Sequence, residues 1–188
     1  MKRTLMPTFL DTLHALALML WLGGIVVIGA IVAPAAFHVA GLTKMQAGSV
    51  VGESLRRLGP VIEVGGLVMV AVQYLERRRY LRSRALFLAD SVRQVLTLGA
   101  LLLAEYGKYV LFPALDSARA ANNMASFDRF HHLYSALAMV QVWLLLGVAV
   151  LTAWLQLPRI TPAPATAAPP ASEPAKPPAT RAVRRAAK

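Results

Sequence analysis

The chain has 188 residues, enough for one domain; 57 % are apolar and only 15 % charged, and mean hydropathy is +0.54. Soluble domains average roughly 45–50 % apolar residues, so the composition is that of an integral membrane protein. The lack of cysteine excludes disulfides, thiolate metal sites and cysteine nucleophiles, and the net charge of +11 stands beside apolar runs and in the C-terminal segment, with no nucleic-acid-binding motif.

The first apolar run, TLHALALMLWLGGIVVIGAIVAPAA (12–36), is long enough at 1.5 Å per residue to cross a ~30 Å hydrocarbon core. A secretory leader would have an apolar core of only ~7–15 residues, so a retained span is expected over about 10–36. Residues 46–58 have apolar positions near helical spacing and either lie at the interface or extend the next helix. A second span, 58–75, carries one acid, Glu63, and ERRRYLRSR (76–84) follows with five arginines. The third run, 86–112, carries Asp90, Arg93, Glu105 and Lys108; only QVLTLGALLLA (94–104) is free of charge. Eleven residues do not cross alone, but ionic groups near both ends snorkel and still permit a span. The fourth run, LYSALAMVQVWLLLGVAVLTAWL (133–155), has no charge and predicts a span over about 132–156 that Pro158 stops. Residues 158–188 hold eight of the twelve prolines and six basic residues. Such a segment buries too little apolar area to fold and is read as a disordered basic Pro/Ala-rich tail. The expected fold is therefore all-α: a four-span membrane bundle, residues 1–157, plus that tail.

Lysine and arginine concentrate on the cytoplasmic side of membrane proteins. Four spans with both termini inside place thirteen basic residues there and five outside, which predicts an inner-membrane, multi-pass protein with an N-in, C-in topology. This topology sorts the polar residues into two layers. An inner cluster holds Asp11, His14, Asp90 and Arg93; an outer cluster holds His38, Glu63, Glu105, Lys108, His131 and His132. Asp90–Arg93 and Glu105–Lys108 are each three apart and share a helix face, so structural ion pairs at the ends of helix 3 are the first reading. Glu63 and Lys108 lie at one depth. An ion path would need a polar relay between the layers, and the span middles offer only Thr97, Gln141 and glycines. The outer histidines either mark the membrane boundary or, with Glu63 or Glu105, bind copper or zinc; a haem between His38 and His131 is a further alternative. Trp21 falls on the His14 face. Gly23, Gly24 and the Gly65–Gly66 pair allow close helix approach, and Pro34 distorts the outer turn of helix 1.

HALALMLWLGG…APAAFH (14–38), YVLFPAL (109–115) and FDRFHHL (127–133) together resemble the transmembrane-protein-205-like four-span family, whose bacterial members are largely described as a domain of unknown function. The residues that carry the resemblance are His14, Trp21, Gly23, Gly24, Pro34, Phe37, Pro113, Phe127 and His131. It implies prolines that end helices 1 and 3 and a Phe-x-x-x-His opening to helix 4. Two positions depart from the pattern: Tyr134 stands where a serine is usual, and Glu105 and Lys108 occupy the neighbourhood of a usual asparagine. The resemblance implies no established enzyme activity and hints at metal handling or trafficking.

Neither Gly-x-Ser-x-Gly, a phosphate loop nor His-Glu-x-x-His occurs, so no catalytic residue is expected. The first expectation is a non-enzymatic scaffold or accessory subunit of a membrane complex, in contact with anionic lipid headgroups through its basic segments and with other membrane subunits or a second copy. Handling of a metal ion or small ligand is the alternative, and a haem- or chlorin-binding subunit the third reading.

Overall fold

Thr43 and Gln46 show why the longest early helix begins where it does. The Gln46 N–H donates to Thr43 Oγ1 at 3.2 Å, and the Thr43 N–H donates to Gln46 Oε1 at 2.8 Å. This capping box satisfies two amide groups that a helix start leaves without partners. The computed structural model describes residues 2–39, 41–81 and 83–160, and every regular element among them is helical. Four rods follow one another. The first comprises α1 (Lys2–Val27), a π-helical turn at Ile28–Val32 and α2 (Ala33–His38). The second is α3 (Lys44–Tyr80). The third comprises α4 (Arg84–Tyr106), a second π turn at Gly107–Leu111 and α5 (Phe112–Ala120). The fourth is α6 (Met124–Ile160).

Each rod contains a stretch of 33 to 37 residues long and apolar enough to cross a membrane. At 1.5 Å per residue these stretches are about 50–55 Å long, well beyond a ~30 Å hydrocarbon core. The observed helices therefore outrun the spans expected from sequence. Residues 46–58 extend the second rod rather than lying flat, and the arginine-dense segment is helical through Tyr80. Pro113 does not end the third rod, which runs to Ala120, and α6 continues past Pro158 to Ile160. A proline lacks one N–H and crowds the preceding turn. Ahead of Pro34 and of Pro113 the wider π turns absorb that crowding without breaking the rod. The bundle unit runs through Gln156, and the disorder expected of the tail falls, from residue 161 on, outside the described residues.

Tight links reverse the chain between rods. Asn122, at φ 54°, takes the left-handed position that ends many helices, with Asn123 N–H donating to Ala118 O at 2.9 Å and Asn122 N–H to Arg119 O at 3.1 Å. Asn123 Oδ1 then accepts from Ser126 N–H at 3.1 Å and opens α6.

One face of each rod is buried. Ala17, Leu18 and Trp21 of rod 1, Ile62 and Met69 of rod 2, Ala100 of rod 3, and Leu145 and Val148 of rod 4 form a single apolar core. The opposite faces carry Leu16, Met19 and Leu20, Val64 and Leu67, Val95 and Leu102, and Trp143 and Val150, all exposed. Large contiguous apolar surface is rare on water-soluble monomers. Here it rings the bundle while His14, Glu76, Asp90 and Arg93 are buried. Lipid selects this distribution, because hydrocarbon accepts leucine and rejects charge; the chain is a multi-pass membrane protein.

Small residues set how closely the rods approach. A Cβ on Gly66 would stand 2.8 Å from Leu101 Cδ1 and 3.1 Å from Trp21 Cζ3, and one on Gly24 would stand 2.7 Å from Leu58 Cδ1. These two glycines perform the expected packing role. Gly23 does not, since nothing lies within 4 Å of its added Cβ, and Phe37 is exposed.

Candidate functional site: a buried polar cluster

Rods 1, 2 and 3 bring their polar groups together toward one end of the bundle. In rod 2 the buried positions Ile62, Met69, Gln73, Glu76 and Tyr80 recur at helical spacing. In rod 3 the same face carries Asp90, Arg93, Thr97 and Ala100. Rod 1 adds His14, one helical stripe below Trp21. Gln73 is the hub: its Nε2 donates to Thr97 Oγ1 at 2.8 Å and lies 3.0 Å from His14 Nε2. Thr97 Oγ1 donates to Arg93 O at 2.9 Å. The Arg93 guanidinium donates to Asp90 Oδ1 at 2.7 Å, and its Nη2 is 3.8 Å from Glu76 Oε2. Arg79 closes the cluster toward solvent, donating to Glu76 Oε1 at 2.6 Å. Gln94 Nε2 donates to the other Asp90 oxygen at 3.0 Å and accepts at Oε1 from Arg77 at 3.2 Å.

Charged groups this deep in a bundle are stable only when paired and hydrogen-bonded. Carboxylates Asp90 and Glu76 face the guanidinium groups of Arg93 and Arg79, so the formal charges within this quartet cancel. The expected Asp90–Arg93 pair is formed, and His14 is buried in the same cluster; Asp11, three residues before it, is half-buried. Gln73 and Glu76 complete it, and the sequence reading did not single them out. Glu76 lies one residue beyond the expected span of 58–75, and continuation of the Ile62–Met69 spacing places both residues on the buried face.

The outer cluster is only partly assembled. Lys108 Nζ donates to Glu63 Oε1, so these two residues share a depth, as expected. The expected pairing of Lys108 with Glu105 is not observed. Lys108 sits in the Gly107–Leu111 π turn, whose wider winding carries it off the face of Glu105 and toward rod 2. His38, His131 and His132 are all exposed. His38 donates Nδ1–H to Pro34 O at 2.7 Å and so finishes its helix end. His131 stacks on Phe127, with centroids 6.0 Å apart, and Phe127 in turn lies under the Arg119 guanidinium at 5.3 Å. Among the described residues, no three of His, Asp and Glu are grouped to hold a metal ion, and the geometry lends the metal alternative no support.

Farther out, Arg56 of rod 2 grips Asp116 of rod 3 through both carboxylate oxygens, at 2.7 and 2.9 Å. Between the two polar layers, Gln141 Nε2 donates to Ala100 O at 2.9 Å and ties rod 4 to rod 3. The Glu63–Lys108 contact gives a direct test of register. The charge-swapped double variant Glu63→Lys, Lys108→Glu should keep more of the native stability than either single change, read by unfolding in mixed micelles; no recovery in the double variant would contradict the pairing.

No curated protein and no solved structure matches the chain. Residues 16–124 match the family model described as a domain of unknown function, DUF4149. The matched segment comprises rods 2 and 3 and most of rod 1, those that share the polar cluster, and leaves out rod 4 except its first residue. It covers more than half of the 188 residues, and the chain therefore belongs to the DUF4149 family, a domain of unknown function.

Proposed function

We propose that the protein is a non-enzymatic scaffold or accessory subunit of a membrane complex. One observation carries this reading: the groups best suited to chemistry bond to one another across rods. His14, Gln73 and Thr97 link rods 1, 2 and 3, while Arg93 and Glu76 link rods 3 and 2. Their role is cohesion, and the surface left for partners is the apolar belt and the two ends. The reading places the chain in the inner membrane with both termini cytoplasmic. In support, Lys2, Arg3, Arg77, Arg78, Arg79 and Arg84 fall at one end of the rods, whereas Lys44, Arg56, Arg57 and Arg119 fall at the other. Anionic headgroups are suitable partners for the arginine-dense end. The closer resemblance to the transmembrane-protein-205-like family belongs to this proposal and is supported by the order of His14, the Trp21–Gly24 step, Pro34, Pro113 and His131.

Extraction in a mild detergent or in native nanodiscs, followed by mass spectrometry, should yield a partner in fixed stoichiometry or a defined homo-oligomer. A monodisperse monomer without partners in both media would overturn the reading. Orientation is tested in parallel with a membrane-impermeant maleimide on spheroplasts. Ala121→Cys should label in intact spheroplasts, and Arg78→Cys only after the membrane is opened; both positions are exposed.

A further inference from the structure

The hydrogen-bond chain from Arg93 to His14 has a direction. The Arg93 carbonyl only accepts, so the Thr97 hydroxyl, 2.9 Å away, directs its single proton there. Thr97 Oγ1 is then an acceptor, and it takes an N–H of the Gln73 amide nitrogen, 2.8 Å away. The second hydrogen of that nitrogen points at His14 Nε2, 3.0 Å away, which must therefore present a lone pair. A neutral imidazole with a bare Nε2 carries its proton on Nδ1.

We infer that His14 is a proton-binding site of the bundle, resting as the neutral Nδ1–H tautomer, and that its protonation is transmitted to rods 2 and 3 by reversal of the Gln73–Thr97 hydrogen bonds. A proton arriving from solvent forms one N–H bond at Nε2, and no other covalent bond changes. That N–H then faces an NH2 group, a donor against a donor. Rotation of the Gln73 amide by half a turn presents Oε1 to His14, and the Thr97 hydroxyl swings from the Arg93 carbonyl to the same oxygen. The chain stays bonded with every donor reversed, and the Arg93 carbonyl loses its side-chain partner.

The surroundings suit such a site. His14, Gln73 and Thr97 are 1 %, 0 % and 0 % exposed, so the ring has no bulk water to mask its state. Gln73 Oε1 has no protein partner, so no bond to the amide oxygen has to break when the amide turns. The charged groups that act on His14 are Asp11 of its own rod and Arg93 of rod 3. Arg93 is in turn held by Asp90 and by Glu76 of rod 2, which Arg79 caps. Rod 4 has no charge in residues 133–155. This inference goes beyond the scaffold reading: its readout is the position of one proton, which does not depend on whether a partner is found.

The test is solid-state NMR of the full chain, labelled with 15N-histidine and reconstituted in lipid bilayers. The His14 signals are those absent from a His14→Asn sample. At neutral pH, Nδ1 should be protonated and Nε2 not, the reverse of the tautomer that a free imidazole side chain favours; on acidification both nitrogens should become protonated. Gln73→Glu offers His14 an acceptor in place of a donor and should shift the proton to Nε2, or charge the ring, in the majority of molecules at neutral pH. Thr97→Val, close in shape, removes the hydroxyl that orients the amide and should lower the Nδ1–H share; it keeps the test open if Gln73→Glu fails to fold. An Nε2–H ring in the native protein at neutral pH, or a tautomer unchanged in the Thr97→Val variant, would overturn the inference.

Discussion

Replacing Arg93 with methionine is expected to destabilise the bundle by about 3–5 kcal/mol, the usual consequence of removing one partner from a buried ion pair. Asp90 and Glu76 are 0 % and 1 % exposed, and Arg93 is the cation that stands between them. Without it, the Asp90 carboxylate keeps the Gln94 amide but has no cation beside it inside the bundle, while Glu76 keeps Arg79. The double variant Asp90→Asn, Arg93→Met should recover a large part of the loss, because it removes both charges of the closest pair. Arg93→Lys should fall between, since an ammonium keeps the charge but reaches less far than the guanidinium, whose Nη2 faces both carboxylates. Unfolding from mixed micelles, followed by tryptophan fluorescence and circular dichroism, measures all three. A loss below about 1 kcal/mol for Arg93→Met, the range of exposed pairs, would show that the cluster does not hold the rods together.

Gly66→Val should be the most damaging of the glycine substitutions. Its new side chain would enter a space bounded by Leu101 of rod 3 and Trp21 of rod 1, and Trp21 is 0 % exposed. Leu101 is able to rotate away; the fully buried indole is not. Overpacking of a filled interior costs about 1–3 kcal/mol, and here it would also spread three rods at once. The matched control is Gly23→Ala, where the added methyl meets nothing within 4 Å. That change should be neutral or stabilising by up to about 1 kcal/mol through helix propensity. Equal effects at the two positions would contradict the packing role assigned to Gly66.

Packing against a neighbouring rod separates two glycines where sequence does not. Gly23 and Gly24 are adjacent in a Trp-Leu-Gly-Gly step, yet only Gly24 meets a neighbour. A helix turns about 100° per residue, so one of two consecutive glycines faces the partner rod and the other faces away. The histidines divide in a similar manner. His14 is a member of the buried cluster, whereas His38, His131 and His132 sit at rod ends with exposed rings. A histidine's distance from an apolar run foretold its depth. It did not foretell which ring would meet Gln73.

The membrane character, the number of rods, their order and the sorting of polar residues into two layers were all present in the one-dimensional record. The reason is that lipid acts on each segment separately: length and hydropathy decide whether a segment crosses, with no need of its neighbours. The Asp90–Arg93 pair was legible on the same ground, because three residues along a helix bring two side chains onto one face. What the assembled bundle alone decided depends on contacts between rods. Gln73 and Glu76 became interior groups because the second helix runs on through Tyr80 and turns that stripe toward Arg93 and Thr97. Lys108 left Glu105 for Glu63 because a π turn re-aims it. Such partnerships depend on how one rod is rotated against another, a quantity that arises only when two surfaces meet.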